Sequence, residues 1–224
     1  MTITIEVSRQ YPWAILPAKH RADRACEREA AAIYAEHFRY VRRVRSAAAC
    51  PPWVMGQELG WIISSPVDVT MDRLDDIQFG AESDADMAAV GHMLDRTEVW
   101  QRGSGWIATK SAGWLRFTQF RGYDDGWEAM FVPNGQGSVE WRLGWSARIP
   151  DDMFLLFMGL DNQSLQVPMG IMTAKHVNRT AETGGMSIAV RPVREITITR
   201  GTPIARMVLL HRDTLQARFA EMEP

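Results

Sequence analysis

From residue 97 onward the chain is written in short β runs separated by glycine and other turn residues, and that rhythm restricts the fold more than any other feature. Thr97–Gln101, Gly105–Thr109, Trp114–Phe120, Trp127–Val132, Ser138–Arg148 and Met153–Met158 form the first part of this series. Val167–Lys175, Met186–Val190, Glu195–Thr199 and Ile204–Leu210 complete it. Turn signals at about every ten residues belong to antiparallel sandwiches, jelly rolls and barrels. Gly103-Ser104-Gly105 and Gly135-Gln136-Gly137 read as hairpin turns, and Asn134-Gly135 is the clearest of these signals. Upstream, Leu59–Met71 (LGWIISSPVDVTM) reads as a strand pair or one bent strand, with Pro66 at an edge or a bulge. Thr2–Val7 alternates polar and apolar, as a half-buried strand does.

One long helix is expected before this β region. From Ala22 to Ala49 the composition turns to Ala, Arg and Glu. Ala25, Ile33, Tyr34, His37, Phe38, Val41 and Val44 make a ragged helical stripe, which Pro51-Pro52 is expected to end. Arg39, Arg42, Arg43 and Arg45 fall in its last turns, where cations oppose the helix dipole. Ala81–Asp86 is a polar acidic loop leading into a helical turn near Gly91. Asp213 reads as the N-cap of a short C-terminal helix, Thr214–Met222. The expected fold is mainly β, a jelly-roll-like barrel with a long N-terminal helix and a short C-terminal helix. Residues 1–50 are expected to form a strand-and-helix appendage, 51–212 the barrel, and 213–224 the terminal helix.

The 224 residues are 46% apolar and 23% charged, enough for an ordinary core. A net charge of −2 exerts no global pull on nucleic acid or anionic membrane. Nucleic acid is therefore an unlikely partner, with Arg39 to Arg45 as its weak point of entry. The start of the chain lacks the pattern of a secretory leader, and no run reaches the roughly 20 apolar residues of a membrane span. The expected location is the cytoplasm, or a virion if the gene is phage-borne. Cys26 and Cys50 are expected to be free thiols. Nine Trp and thirteen Met are the compositional outliers. They suit a core packed with bulky side chains, and equally an aromatic-lined pocket or a subunit interface.

No motif commits the chain to a reaction. His20, His37, His92, His176 and His211 include no two within four residues, so no metal site and no cofactor is expected. A set drawn from distant residues, such as His176, His211 and Glu140, would have to be assembled by the fold. Gly-x-Ser-x-Gly is absent, and Cys50 has no activating neighbour in sequence. The pairs Asp75-Asp76, Asp124-Asp125 and Asp151-Asp152 read as solvated turns, because adjacent residues on an extended chain face opposite ways.

The C-terminal third carries a family resemblance. Ile149-Pro150-Asp151-Asp152-Met153-Phe154-Leu155-Leu156, then Gly170-Ile171-Met172-Thr173, then Arg200-Gly201-Thr202-Pro203-Ile204-Ala205-Arg206-Met207-Val208 occur in that order. This resembles the barrel of trimeric dUTPases and dCTP deaminases. The chain looks closer still to an uncharacterised family of bacterial and tailed-phage proteins. Gly60-Trp61-Ile62-Ile63-Ser64-Ser65-Pro66-Val67-Asp68-Val69 and Gly201-Thr202-Pro203-Ile204-Ala205 are the segments it shares with that family. The resemblance covers roughly residues 50 to 212. Thr173 stands where the nucleotidohydrolases have the aspartate that orients water, and Asn162-Gln163-Ser164 where they have a phosphate-binding Arg-Ser-Ser turn. A hydroxyl without an activating partner is no general base near neutral pH. An absent guanidinium would leave a triphosphate uncompensated. dUTP hydrolysis is therefore not expected, since a shared fold does not transfer chemistry.

The expected function is that of a non-catalytic, self-assembling β protein, a homo-oligomer, placed by the resemblance among phage or prophage structural components with virion partners. The alternative is a small-molecule enzyme of specialised metabolism with a pocket at the barrel mouth or between subunits. For that alternative the candidates are Trp145, Arg148, Asn162, Thr173, Lys175, His176, Arg179 and His211. Lys175-His176 is the most reactive-looking pair. Read structurally, it is a solvated surface loop.

Overall fold

The computed structural model describes residues 3–37, 47–80 and 86–220. Its centre is the strand Met153–Gly159, whose sequence MFLLFMG is apolar at every position but the last. It pairs on one side with Gly170–Thr173 and on the other with Pro203–His211, which in turn pairs with Trp61–Ser64. All of these pairings are antiparallel. A second four-stranded sheet orders Leu165–Gln166, Ser187–Pro192, Ser138–Arg142 and Phe131–Gly135. The two sheets share one core, in which Leu155, Phe157, Met207 and Ile63 meet Trp141, Phe131, Val139 and Val190.

Four smaller antiparallel sheets complete the chain. Glu6–Arg9 pairs with Trp145–Arg148, Val69–Met71 with Ile196–Ile198, and Gln119–Arg121 with Trp127–Ala129. Asp76–Phe79, Gly105–Thr109 and Glu98–Arg102 make a three-stranded sheet. The fold is thus mainly β. Among the described residues the strands pair as six separate sheets, not as one continuous ladder.

The two segments that carry the family resemblance dock on each other. Trp61 faces Met207 and Ile62 faces Arg206 in the ladder. Beyond it, the Ser65 N–H donates to the Thr202 carbonyl at 2.8 Å and the Gly201 N–H to the Ser65 carbonyl at 2.8 Å. Asp68 Oδ1 accepts from the Arg200 N–H at 2.7 Å, and the Arg200 guanidinium donates to the Trp13 and Pro66 carbonyls. Pro66 sits in the bend between two strands, as its missing N–H requires. These residues close a strand corner, which is a structural task.

Several expectations are corrected. The α-helix runs Arg24–His37; Phe38, Arg39, Val41, Arg42, Arg43, Val44 and Arg45 lie outside the described residues, as does most of the acidic loop at 81–85. Ala47–Ala49 is a 3₁₀ turn, and Pro51-Pro52 opens a second helix, Pro51–Glu58, instead of only ending the first. A proline in the first turn loses no hydrogen bond, because that N–H has no partner within the helix. Trp114–Phe120 is not a strand: Gly113–Phe117 is helical and Gln119–Arg121 is extended. A short apolar run does not separate the two by periodicity. Ser138–Arg148 divides at Gly144, whose φ of +72° turns the chain, with Trp13 packed where a Cβ would stand. Of Val167–Lys175 only Gly170–Thr173 is a strand; a separate short strand, Leu165–Gln166, precedes the run, and the end of the run enters the helix Ala174–Val177. The hairpin turn is Gln136-Gly137, both at positive φ, within the expected Gly135-Gln136-Gly137 and two residues beyond Asn134-Gly135. The C-terminal helix is only a 3₁₀ segment, Arg212–Gln216. Leu215 and Phe219 are exposed there and offer no buried face to hold a longer helix. Its N-cap is His211, not Asp213.

Trp141, Trp145, Met71, Met130, Met186 and Met207 are fully buried, so much of the Trp and Met set fills the core. Cys26 and Cys50 are free and exposed.

Candidate functional site

Side chains alternate across a strand, and directly opposed residues of an antiparallel pair share a face. In the Met153–Gly159 strand this sends Met153, Leu155 and Phe157 into the core. Phe154, Leu156 and Met158 point to the other side and are only half-buried. The registers place Ile171 and Thr173 beside them on one neighbouring strand, and Arg206, Val208 and Leu210 on the other, with Ile62 beyond Arg206. The sheet therefore has an apolar second face. Ile171 is 44% exposed on it. The two borders of the sheet differ. The Trp61–Ser64 border is covered by Ala18, which exchanges backbone hydrogen bonds with Ile62 at 2.8 and 3.1 Å. Gly170–Thr173 is the outermost strand at the opposite border, and Gly170 has open space where a Cβ would lie.

The expected site residues are only partly brought together. Thr173 ends the outer strand, and its Oγ1 lies 2.9 Å from His176 Nδ1. Lys175 and His176 lie on the short helix that follows, and both are exposed. Asn178, at the end of that helix, accepts from the Ile149 N–H at 2.9 Å and donates to the Ile149 carbonyl at 3.1 Å, tying it to the chain that enters the central strand. His211 sits opposite Met153 at the same end of the sheet. Its Nδ1 lies 3.3 Å from both the Asp213 backbone nitrogen and Asp213 Oδ2, and its Nε2 lies 3.3 Å from Asp152 Oδ2. Arg148 faces Glu6 in a separate sheet, and Arg148 and Arg179 are exposed. Trp145 is in the core with its indole N–H buried and unpaired. Asn162 lies beyond the far end of the central strand, where its Oδ1 accepts from the Ser164 and Leu165 N–H groups at 2.8 and 3.1 Å. The Asn162 side chain is thus used to hold its own turn.

Glu140 belongs elsewhere. Its Oε1 accepts from Ser187 Oγ at 2.8 Å, and its Oε2 accepts from Arg102 at 2.7 Å; Arg102 also donates to Asn134 at 2.8 Å. Burial pushes the Glu140 carboxyl up, but the Arg102 and Ser187 hydrogen bonds and the charges of Arg102 and Arg142 outweigh it. The group is held below its ordinary value. Tyr11 is pushed up, first by burial and then by Glu128 and Tyr123 nearby. The set His176, His211 and Glu140 is not gathered by the fold. Among the described residues no group of three His, Cys, Asp or Glu is placed to hold a metal ion.

Two groups escaped sequence reasoning. Arg206 donates through one guanidinium nitrogen to the carbonyls of Gly56, Gln57 and Leu59, at 3.2, 2.7 and 2.6 Å. Nothing in sequence links it to a helix about 150 residues earlier. The row Phe154, Leu156, Met158 did leave a signal, because a strand apolar at successive positions is one that buries both faces.

No protein-family model and no curated protein matches the chain. Among solved structures it is similar to a point mutant of the dUTPase from phage phi11 of S. aureus, at 9% identity and a TM-score of 0.42, over 99% of this chain and 95% of that one. It is also similar to two point mutants of the Staphylococcus bacteriophage 80alpha dUTPase. One aligns at 8% identity and a TM-score of 0.38, over 100% of this chain and 96% of that one. The other, with dUpNHpp, aligns at 9% identity and a TM-score of 0.39, over 100% and 97%. Similarity of this degree assigns neither activity nor ligand, and the mainly β class rests on the strand pairings themselves. Among the described residues no helix is long and apolar enough to cross a membrane.

Proposed function

We propose that this protein is a non-catalytic, self-assembling β protein whose outer sheet face, at the Phe154, Leu156 and Ile171 positions, is buried against a second copy of the chain. The observation that carries the reading is the two-faced central strand: Phe154, Leu156 and Met158 form an apolar row that the chain itself leaves half-covered. Val208 on this face is covered by the chain's own Gly60, so the open part lies over the Gly170–Thr173 and Met153–Gly159 strands, which at a spacing of about 4.8 Å and some 20 Å of length present roughly 200 Å². A stable interface takes about 800 Å² from each partner. The helix Arg24–His37 is the natural source of the remainder. Its described residues include none that is buried, Ile33 is 55% exposed on it, and helices draw most of their stability from packing. The open strand Gly170–Thr173, with Met169 and Ile171 exposed, borders the same face. An identical strand can pair with it antiparallel across a two-fold axis. A place among phage or prophage particle components is part of this proposal, resting on the sequence resemblance alone.

The Thr173–His176 pair gives the enzyme alternative little support. It is exposed, and no described interaction orients the second ring nitrogen of His176 as a nucleophile–base pair requires. The test is light scattering after size exclusion. The wild type is expected as a dimer or larger species at about 10 µM, the range of a Kd near 1 µM. Ile171→Lys, at an exposed position that leaves the fold intact, is expected to shift the population to monomer. A wild type that is monomeric at that concentration overturns the proposal.

A further inference from the structure

We propose that the cleft at the Met158 end of this sheet binds a small anionic amphiphile, a medium-chain monocarboxylate, with its carboxylate on Arg206. The cleft has a volume of about 450 Å³ and is lined by Ile62, Arg206 and Met158, together with Leu59, His20 and Asp161 among others. Its floor is defined by the strand register. Ile62, Arg206 and Met158 face one another across three adjacent strands, so they form one row on one face. Leu59, Leu160 and Pro203 add apolar wall. The volume falls in the range of small-molecule sites, and an apolar wall around a few fixed polar groups is their usual composition.

Arg206 is the polar group that is fixed. One terminal nitrogen of its guanidinium is held by three carbonyls at the end of the Pro51–Glu58 helix. The fork is thereby oriented before any ligand arrives, and its other nitrogens remain as donors for the planar acceptor pair of a carboxylate. His20 and Asp161 also stand on the wall of the cleft. The carboxylate of Asp161 disfavours a second anionic group at that wall. One acid head and one apolar tail therefore fit the cleft, and a tail ending in a second acid does not.

The probes are octanoate, octanol and octanedioate, each titrated into the full-length protein by isothermal calorimetry with ligand-observed NMR. Octanoate is expected to bind saturably with a Kd below about 1 mM, and octanol and octanedioate about tenfold more weakly or worse. Arg206→Met is expected to remove the preference for octanoate over octanol. Leu59→Trp, at an exposed lining position, is expected to fill the cleft and weaken both while leaving the melting temperature unchanged. It keeps the test decisive if Arg206→Met is unstable. The absence of saturable octanoate binding, equal affinity for octanol, or full affinity in Leu59→Trp overturns the proposal. Ile171→Lys, which probes assembly, is expected to bind octanoate as the wild type does. Failure of the assembly proposal and failure of this one are then separately visible.

Discussion

Gly60→Ala isolates the contact on which the strand corner depends. Gly60 has φ +72°, and a Cβ built there would stand 2.1 Å from the Met207 carbonyl oxygen and 2.9 Å from Val208 Cγ2. The first neighbour is backbone, so no side-chain rotation relieves the clash. A Cβ in the left-handed region costs roughly 1–2 kcal/mol. Separating the strands by roughly 1 Å also loosens the pairing where Trp61 faces Met207, and each strand hydrogen bond lost there costs about 1 kcal/mol. Together these amount to about 3–4 kcal/mol. A domain of this size loses about 2–4 °C of Tm per kcal/mol, so the expected drop is about 6–16 °C.

Two other glycines separate the contributions. Gly201 has φ +88° but open space at its Cβ, so Gly201→Ala carries only the conformational cost, about 1–2 kcal/mol. Gly170 has neither a left-handed φ nor a close neighbour, so Gly170→Ala is expected within about 0.5 kcal/mol of the wild type. Thermal denaturation followed by circular dichroism ranks the three. If Gly60→Ala melts no lower than Gly201→Ala, the close approach of Gly60 to Met207 is wrong.

Two further outcomes test the account. Because Glu140 is held below its ordinary value, its stabilising contribution is present above the unfolded carboxylate value of about 4.3 and is lost as pH falls through the lower folded value. Glu140→Gln is expected to cost about 1–2 kcal/mol at pH 7, reduced because the Arg102–Glu140 pair is about one-third exposed. The gap to the wild type should narrow as pH falls below about 4.3 in urea titrations; a gap independent of pH contradicts the assignment. Leu155→Ala and Leu156→Ala remove the same atoms from opposite faces of one strand. The first is expected to cost about 3–4 kcal/mol in urea at any protein concentration. The second is expected to act chiefly by weakening self-association, and equal effects of the two on a monomeric species would refute the two-faced strand.

Local pattern alone settled the class of fold and several of its elements. Gly105–Thr109 was legible residue for residue, and Met153–Gly159, Ser187–Pro192 and Pro203–His211 were legible to within a residue or two, because apolar runs bounded by Gly, Pro or Asp admit few alternatives. Local pattern also carried the free cysteines and the Trp and Met core. It misplaced the boundaries that depend on a single backbone angle or a distant contact. Gly144 splits a run because Trp13 lies against it, and Pro51 opens a helix whose end is held by Arg206, from the last strand. The same limit applies to function. The apolar run at 153–158 is readable as a strand with two apolar faces, but which face the core covers is decided only when Trp141 and Met207 pack against Leu155 and Phe157. The outer row and Arg206 meet only through a ladder that joins residues 50 to 150 apart. Periodicity is local and survives in the sequence; burial and juxtaposition are properties of chain segments that touch, and only the tertiary structure decides which segments touch.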